Sequence, residues 1–207
     1  MEDQWLAWAK RLQALASTGL HFDVSEHDNE RYREVAEIAQ NMLATLGQVP
    51  LQQIMNLHSD FTEGYATPLI DVRGAVFRGD EILLVQEKTD QRWTLPGGYA
   101  DVGLSAAQNV EKEIAEEANL TVKARALYAV KHKAKHRYKP DVRDFYKFFF
   151  LCEQLDDTLP QAGYECLGAD YFDPRQLPEL STGRVIAADI EAAYAFRADP
   201  SRFTAFD

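Results

Sequence analysis

Cysteine is scarce in this chain: Cys152 and Cys166 are the only two in 207 residues. That is too few for a disulfide framework or for the full ligand set of a structural zinc site. Both lie in segments of β character, as expected of buried thiols in a reducing compartment, so a cytoplasmic location is expected. Long apolar runs are missing as well. None approaches the roughly 18 residues that cross a bilayer. The amphipathic, early-acidic start MEDQWLAWAKRLQALASTGL lacks the basic region and cleavage site of a signal peptide. Basic excess is the third absence. A net charge of −11 argues against a dedicated nucleic-acid binder. Positive charge is instead local: residues 131–143 read KHKAKHRYKPDVR, six Lys/Arg against one Asp. Such a patch suits a small phosphorylated ligand.

What is present is enough for a core, with 46% apolar and 11% aromatic residues. The first sixty or so residues read as helical. Trp5, Trp8, Ala9, Leu12, Leu15 and Ala16 follow helical spacing, Asp3 can cap the start, and Gly19 stands where a helix ends. A second helix is expected over residues 29–46, with Tyr32, Val35, Ala39, Met42 and Leu46 on one stripe and Gly47 closing it. Pro50 opens a short third helix containing Leu51, Ile54 and Met55. Helices this short bury little surface alone, so they pack on the following domain or on a second copy of themselves. A break is expected at residues 62–68. Strands then follow at 69–77 and 81–87, paired around the turn Arg78-Gly79-Asp80. Beyond them come a loop over 91–103, a helix from Ser105, strands near 122–131, 145–152 and 170–172, and a last helix at 185–197. Strands and helices alternate without a βαβ rhythm, which predicts a mixed sheet with helices on its faces.

Chemistry is concentrated in residues 97–120, GGYADVGLSAAQNVEKEIAEEANL. Ser105 and Gln108 form a Ser-x-x-Gln capping box. Ala107, Val110, Ile114 and Ala118 make the buried face. Glu113, Glu116 and Glu117 then fall within an arc of about 100° beside that face. Like charges at such a margin need something positive, and a divalent cation with oxygen ligands is the economical answer. The preceding Gly97-Gly98 lets backbone groups approach a ligand, and the helix N-terminus favours anions.

This segment resembles the signature box of the Nudix hydrolases, which runs Gly, five residues, Glu, seven residues, then Arg-Glu-apolar-x-Glu-Glu-x-Gly-apolar. Gly98 takes the place of the box Gly, and Lys112-Glu113-Ile114-Ala115-Glu116-Glu117-Ala118-Asn119-Leu120 matches the core. Trp93-Thr94-Leu95-Pro96-Gly97 matches the usual approach to it. Three positions depart: Leu104 replaces the first Glu, Lys112 the Arg, and Asn119 the closing Gly. Asn tolerates the left-handed backbone of a helix end. Lys112 keeps the charge without the forked geometry of Arg. W-x-x-W-A-x-x-L-Q in the first helix, T-G-L at its end, E-R-Y, A-D-V-G before Leu104, and the closing Phe206-Asp207 resemble a Nudix subgroup with a helical N-terminal extension. That subgroup includes CDP-choline pyrophosphatases and proteins described as ADP-ribose pyrophosphatases.

The resemblance implies an α/β fold of the α+β type, a Nudix-like α/β/α sandwich with a mixed sheet. A small helical domain at residues 1–66, expected to form a homodimer, precedes a Nudix domain at 67–207. It implies Mg²⁺, with Mn²⁺ as a substitute, held by the Gly98 carbonyl, Glu113, Glu116 and Glu117, with Glu113 either a third carboxylate ligand or the general base. Glu165, which precedes Tyr171-Phe172, stands where some members place an extra catalytic glutamate. Arg73, Arg92, Lys133 and His136 are the expected substrate contacts, the last two within a Lys-x-Lys-His pattern. Trp93 and Tyr99 flank the box and are candidates either for stacking on a base or for core packing. His21, His27 and His58 have no supporting constellation. The reaction implied is hydrolysis of the pyrophosphate bond of a nucleoside diphosphate derivative. CDP-choline, giving CMP and phosphocholine, is favoured first and ADP-ribose second. RNA processing at the same centre is a third reading, less favoured, and a silent ligand-sensing module is the least favoured.

Overall fold

The structure is a computed structural model that describes residues 2–22, 25–58 and 66–207, with the side chains of residues 57 and 58 also left out. The expected break over 62–68 therefore lies mostly outside the described residues, as does the side chain of His58. The chain forms two compact units. One comprises residues 1–69 with 134–136 and 140–144; the other comprises 70–133, 137–139 and 145–207.

The first unit holds helices α1 (Gln4–His21), α2 (Glu26–Gly47) and α3 (Leu51–His58). Asp3 caps α1 by accepting from the Trp5 amide. Gly19 does not end α1 as its position suggested. It lies against the Tyr32 ring of α2, where an added Cβ would stand 2.5 Å from the ring carbons, so its role is close packing. Ser25 caps α2 ahead of Glu26 and Asp28, so this helix begins earlier than its apolar stripe indicates. Its end passes Gly47, and the left-handed cap falls on Gln48. Leu6, Ala9, Leu43 and Ile54 form the core, with Val142 packed against them. The stripe read for α1 is therefore only partly buried: Ala9 and Ala16 are inside, whereas Trp5 is 58% and Trp8 49% exposed.

The second unit is a sheet covered by helices on both faces. Its strands are β1 (Leu69–Arg78), β2 (Glu81–Glu87), β3 (Trp93–Thr94), β4 (Val122–His132), β5 (Phe145–Gln154), β6 (Cys166–Phe172) and β7 (Ala205–Phe206). The order is β3-β2-β1-β5-β4-β7, with β6 also paired to β2. Strands β1–β2, β2–β3, β2–β6 and β4–β5 pair antiparallel and β4–β7 parallel, so the sheet is mixed as expected. Strand β2 explains the sandwich. Leu83 and Val85 face one core with Val110, Ile114 and Ala118 of helix α4 (Ala106–Ala118). Ile82 and Leu84 face the other, with Ile190, Ala193 and Phe196 of helix α5 (Ala187–Ala198). Both faces are buried, so the strand reads as a continuous apolar run. Each Val or Ile moved out of water contributes roughly 1.5–3 kcal/mol. That burial fixes the inner face of α4 and leaves its glutamates at the margin. Both cysteines are buried thiols, pushed up to about 12 by burial and therefore unreactive.

Candidate active site

Helix α4 starts where the sequence says it must. Ser105 Oγ accepts from the Gln108 amide at 3.2 Å, and Gln108 Oε1 accepts from the Ser105 amide at 2.8 Å. Residues 96–100 run extended beside β1: Gly74 N donates to Pro96 O, Val72 N to Gly98 O, and Ala100 N to Ile70 O. Gly97 has φ 139°, and a Cβ there would stand 2.0 Å from the Val72 carbonyl, so only glycine fits. At Gly98 an added Cβ would stand 2.9 Å from Glu113 Oε1; the missing side chain is what lets the Glu113 carboxylate lie against the backbone.

Glu117 is 7% exposed, and its Oε2 accepts from the Gly97 amide at 2.8 Å. Burial pushes it up to about 7; Arg73 and the Gly97 N–H oppose the rise, while Glu113 and Glu87 add to it. Glu113 is raised too, first by burial and then by Glu116 and Glu165, against Arg73 and Lys112. These couplings bring Glu113, Glu116, Glu117 and Glu165 into one electrostatic neighbourhood. Glu165 arrives there because residues 161–163 cap the end of α4, Gln161 N donating to Ala118 O and Gly163 N to Glu117 O. A Cβ on Gly163 would stand 1.6 Å from Glu116 O, so the approach depends on glycine.

Other predicted residues are placed differently from expectation. Arg73, an expected substrate contact, is 3% exposed. Its Nε and Nη2 donate to Asp71 at 2.9 and 3.1 Å, and its Nη1 donates to Leu95 O at 3.0 Å. Buried Lys147 donates to the same Asp71 at 2.8 Å. Burial works against the Asp71 charge, yet the two cations hold it down to about 2. Arg73 is thus held beneath the loop, its guanidinium spent on Asp71 and Leu95, which explains why it is not a ready phosphate contact. The Gly98 carbonyl is likewise turned into the pairing with β1. Carbonyls alternate along an extended segment, so it is the Gly97 carbonyl that projects to the opposite edge. Arg92 pairs with Glu179 at 2.6 Å. Lys133 is buried with its ammonium 4.8 Å from the Phe145 ring centroid. His136 follows the short 3-10 turn Lys133–Lys135 and belongs to the other compact unit.

Lys112 Nζ lies 3.1 Å from Asp101 and 3.0 Å from Glu116. Among the described residues, no group of three His, Cys, Asp or Glu side chains stands as a ready metal-ligand set. The reason is visible in the bonds: Glu117 is turned to Gly97 and Glu116 to Lys112. The donor chemistry nevertheless fits a hard divalent cation. Glu117 is buried and Glu113 half-buried against a glycine cradle, and carboxylate and carbonyl oxygens are the ligands such an ion takes.

Three contributors were missed in the sequence. Buried Asn109 accepts from the Asp101 amide and donates toward the carbonyls of Asp101, Leu104 and Ser105, tying the loop to α4. Glu87 acts on Glu117 and pairs with Arg184 at 2.7 Å. Gly163 had a faint signal, a glycine two residues before Glu165; Asn109 and Glu87 had none.

Comparison with known proteins gives the family. Residues 68–193 match the family model described as the NUDIX domain. The chain belongs to the Nudix hydrolase family. It is therefore an enzyme that acts on pyrophosphate bonds, and Nudix hydrolases generally use divalent metal ions. Residues 3–58 match a UDP-X-like N-terminal oligomerisation domain. The Bacillus subtilis (strain 168) protein YjhB, provisionally named an ADP-ribose pyrophosphatase, is 38% identical over 207 residues, 100% of this chain and 99% of its own. A crystal structure of an ADP-ribose pyrophosphatase from Streptococcus suis is 37% identical, covers 68% of this chain and 100% of that one, and has a TM-score of 0.62. A UDP-X diphosphatase structure is 30% identical, covers 98% of both chains, and has a TM-score of 0.63. No helix among the described residues is long and apolar enough to cross a membrane.

Proposed function

We propose that this Nudix enzyme hydrolyses the pyrophosphate bond of a nucleoside diphosphate derivative, with Mg²⁺ as its ion and Mn²⁺ as a substitute. ADP-ribose stands first among substrates, because two of the relatives that match most of their own length carry that name; CDP-choline comes second. The observation that carries the reading is the pair Glu113 and Glu117, packed against Gly97-Gly98 with Glu117 held near neutrality at about 7.

Glu113, Glu117 and the Gly97 carbonyl would hold the ion, joined by Glu116 once it leaves Lys112; the Gly97 carbonyl takes the place first given to Gly98. A divalent ion held there would offset the charge of the diphosphate and make an attacking water more acidic. Glu165 would take the proton of an attacking water; its exposure and its electrostatic reach to Glu113 support the role. Arg73 contributes by position, fixing the Leu95 carbonyl and supplying positive potential beneath the carboxylates. Arg92 and His136 remain candidate contacts for the diphosphate and leaving group. RNA is less favoured because cations of the basic segment are spent internally: Lys131 pairs with Asp189 at 2.7 Å and Lys133 lies over Phe145.

Residues 1–66 act in this reading as a dimerising domain for the Nudix domain at 67–207, in a cytoplasmic enzyme. Support comes from the depression lined by Trp5, Ile38, Met42 and Leu46, an apolar surface a second copy would cover. Solution scattering that gives a monomer across micromolar concentrations overturns the dimer. The deciding experiment is a hydrolysis screen of ADP-ribose, CDP-choline and UDP-sugars with and without Mg²⁺, identifying the monophosphate released. AMP release that needs the ion is the expected result; no turnover of any nucleoside diphosphate derivative overturns the reading.

A further inference from the structure

Tyr99 follows Gly98 directly, yet its ring takes no part in either core. It is 51% exposed, although the sheet around it is closely packed. Side chains alternate along an extended segment. The α-carbon of Gly98 faces Glu113, so the ring of Tyr99 lies on the other side, where Tyr99 forms a bridge with Asp71. There it stacks on Phe145 with centroids 5.8 Å apart and planes 9° from parallel. Phe145 is itself buried, with the Lys133 ammonium 4.8 Å from its centroid. An aromatic ring braced in this way, one residue from the carboxylate cradle, has little freedom to lose on binding.

We infer that Tyr99 is the nucleobase platform of the active site: the base of the substrate stacks on its exposed surface while the diphosphate lies on the Glu113 side of the same segment. Phe145 and Lys133 are positioning residues that hold the ring. This rests on the proposed hydrolysis of a nucleoside diphosphate derivative and adds the part of the substrate that the carboxylates do not read. Trp93, the other aromatic beside the box, does not compete for the role, since it packs edge-on against Phe172 with centroids 4.6 Å apart.

Base–aromatic stacking is lost on alanine substitution at a cost that corresponds to roughly 5- to 150-fold in affinity. The test compares wild type, Tyr99→Ala and Tyr99→Phe by steady-state kinetics, with inhibition by each of the two products and a thermal melt for each variant. Tyr99→Ala is expected to raise KM and to weaken inhibition by the nucleoside monophosphate, each by about tenfold. Inhibition by the base-free sugar phosphate and kcat should change by less than about twofold. Tyr99→Phe, which keeps the ring, should restore wild-type values, and it carries the test if the alanine variant melts early. Equal weakening of both products places the ring on the sugar phosphate and overturns the inference, as does an unchanged KM. A wild type inactive on every nucleoside diphosphate derivative overturns the underlying reaction instead, so the two failures are distinct.

Discussion

Replacing Glu117 by Gln should make the metal-free protein more stable while destroying its activity. The Glu117 carboxyl is buried and holds its proton up to about pH 7, against an ordinary value of 4.5. In the unfolded chain it ionises at the ordinary value. Between those two pH values the folded state therefore binds more protons than the unfolded state, and stability falls as pH rises through the window. The gap corresponds to about 3 kcal/mol at pH 8. The glutamine amide of E117Q would keep an oxygen to accept from the Gly97 amide and would carry no charge, so the variant escapes the loss. Urea denaturation in EDTA at pH 8 should show E117Q more stable by about 2–3 kcal/mol, a shift of order 5–10 °C in Tm. At pH 5 the difference should shrink to about 1 kcal/mol, and below pH 4.5 the two proteins should converge, because Glu117 is then protonated in both folded and unfolded chains. Glu113 is raised by the same burial and leaves a residual slope in E117Q. Adding Mg²⁺ at pH 8 should restore wild type more than E117Q. Equal stabilities in EDTA at pH 8, or a gain of the same size at pH 5, would refute the electrostatic reasoning.

Gly163→Ala places a methyl where Glu116 O lies only 1.6 Å away, so residues 161–165 must back off α4. Overpacking of this kind costs about 1–3 kcal/mol, and the displaced Glu165 should lower kcat by about 10- to 100-fold with KM little changed; a wild-type kcat would dissociate Glu165 from the reaction. Asp71→Ala strands Arg73 and Lys147 as buried cations and should cost about 3–5 kcal/mol by urea denaturation. Lys147→Met leaves the Arg73–Asp71 pair and should change stability by less than about 1 kcal/mol; a loss as large as that of Asp71→Ala would show that Lys147 is indispensable. The contribution of Asp71 is present above pH 3.8 and fades as pH falls toward about 2, since its folded value is depressed.

The parts of the fold that could be read from the sequence are those fixed by local signals. The capping box set the start of α4, and the hydrophobic period of 3.6 separated its inner face from Glu113, Glu116 and Glu117. The β1–β2 hairpin followed from Arg78-Gly79-Asp80 between apolar runs. Strands β3 and β7 were not legible, because two residues held mainly by neighbours carry no periodicity. The length of α1 was misread because Gly19 looks like a terminator until Tyr32 packs on it. The burial of Arg73 was not legible either, because it depends on Lys147 and Leu95, far away in sequence.

Leu104 and Lys112 bring these levels together. At Leu104 the resemblance left a carboxylate unaccounted for, and at Lys112 a forked cation had become a single ammonium. Lys112 reaches two carboxylates at once, Glu116 one turn along α4 and Asp101 in the loop. An exposed pair of this kind is worth only about 0.2–1 kcal/mol, too little to fix the loop by itself. Buried Asn109 does the fixing, through the Asp101 amide and the carbonyls of Asp101, Leu104 and Ser105. With the loop held by an uncharged amide, Lys112 can release Glu116 and keep Asp101. Leu104 therefore takes a charge out of the loop without removing its anchor, and the glutamates of α4 stay together at the helix margin, as the proposed ion site requires.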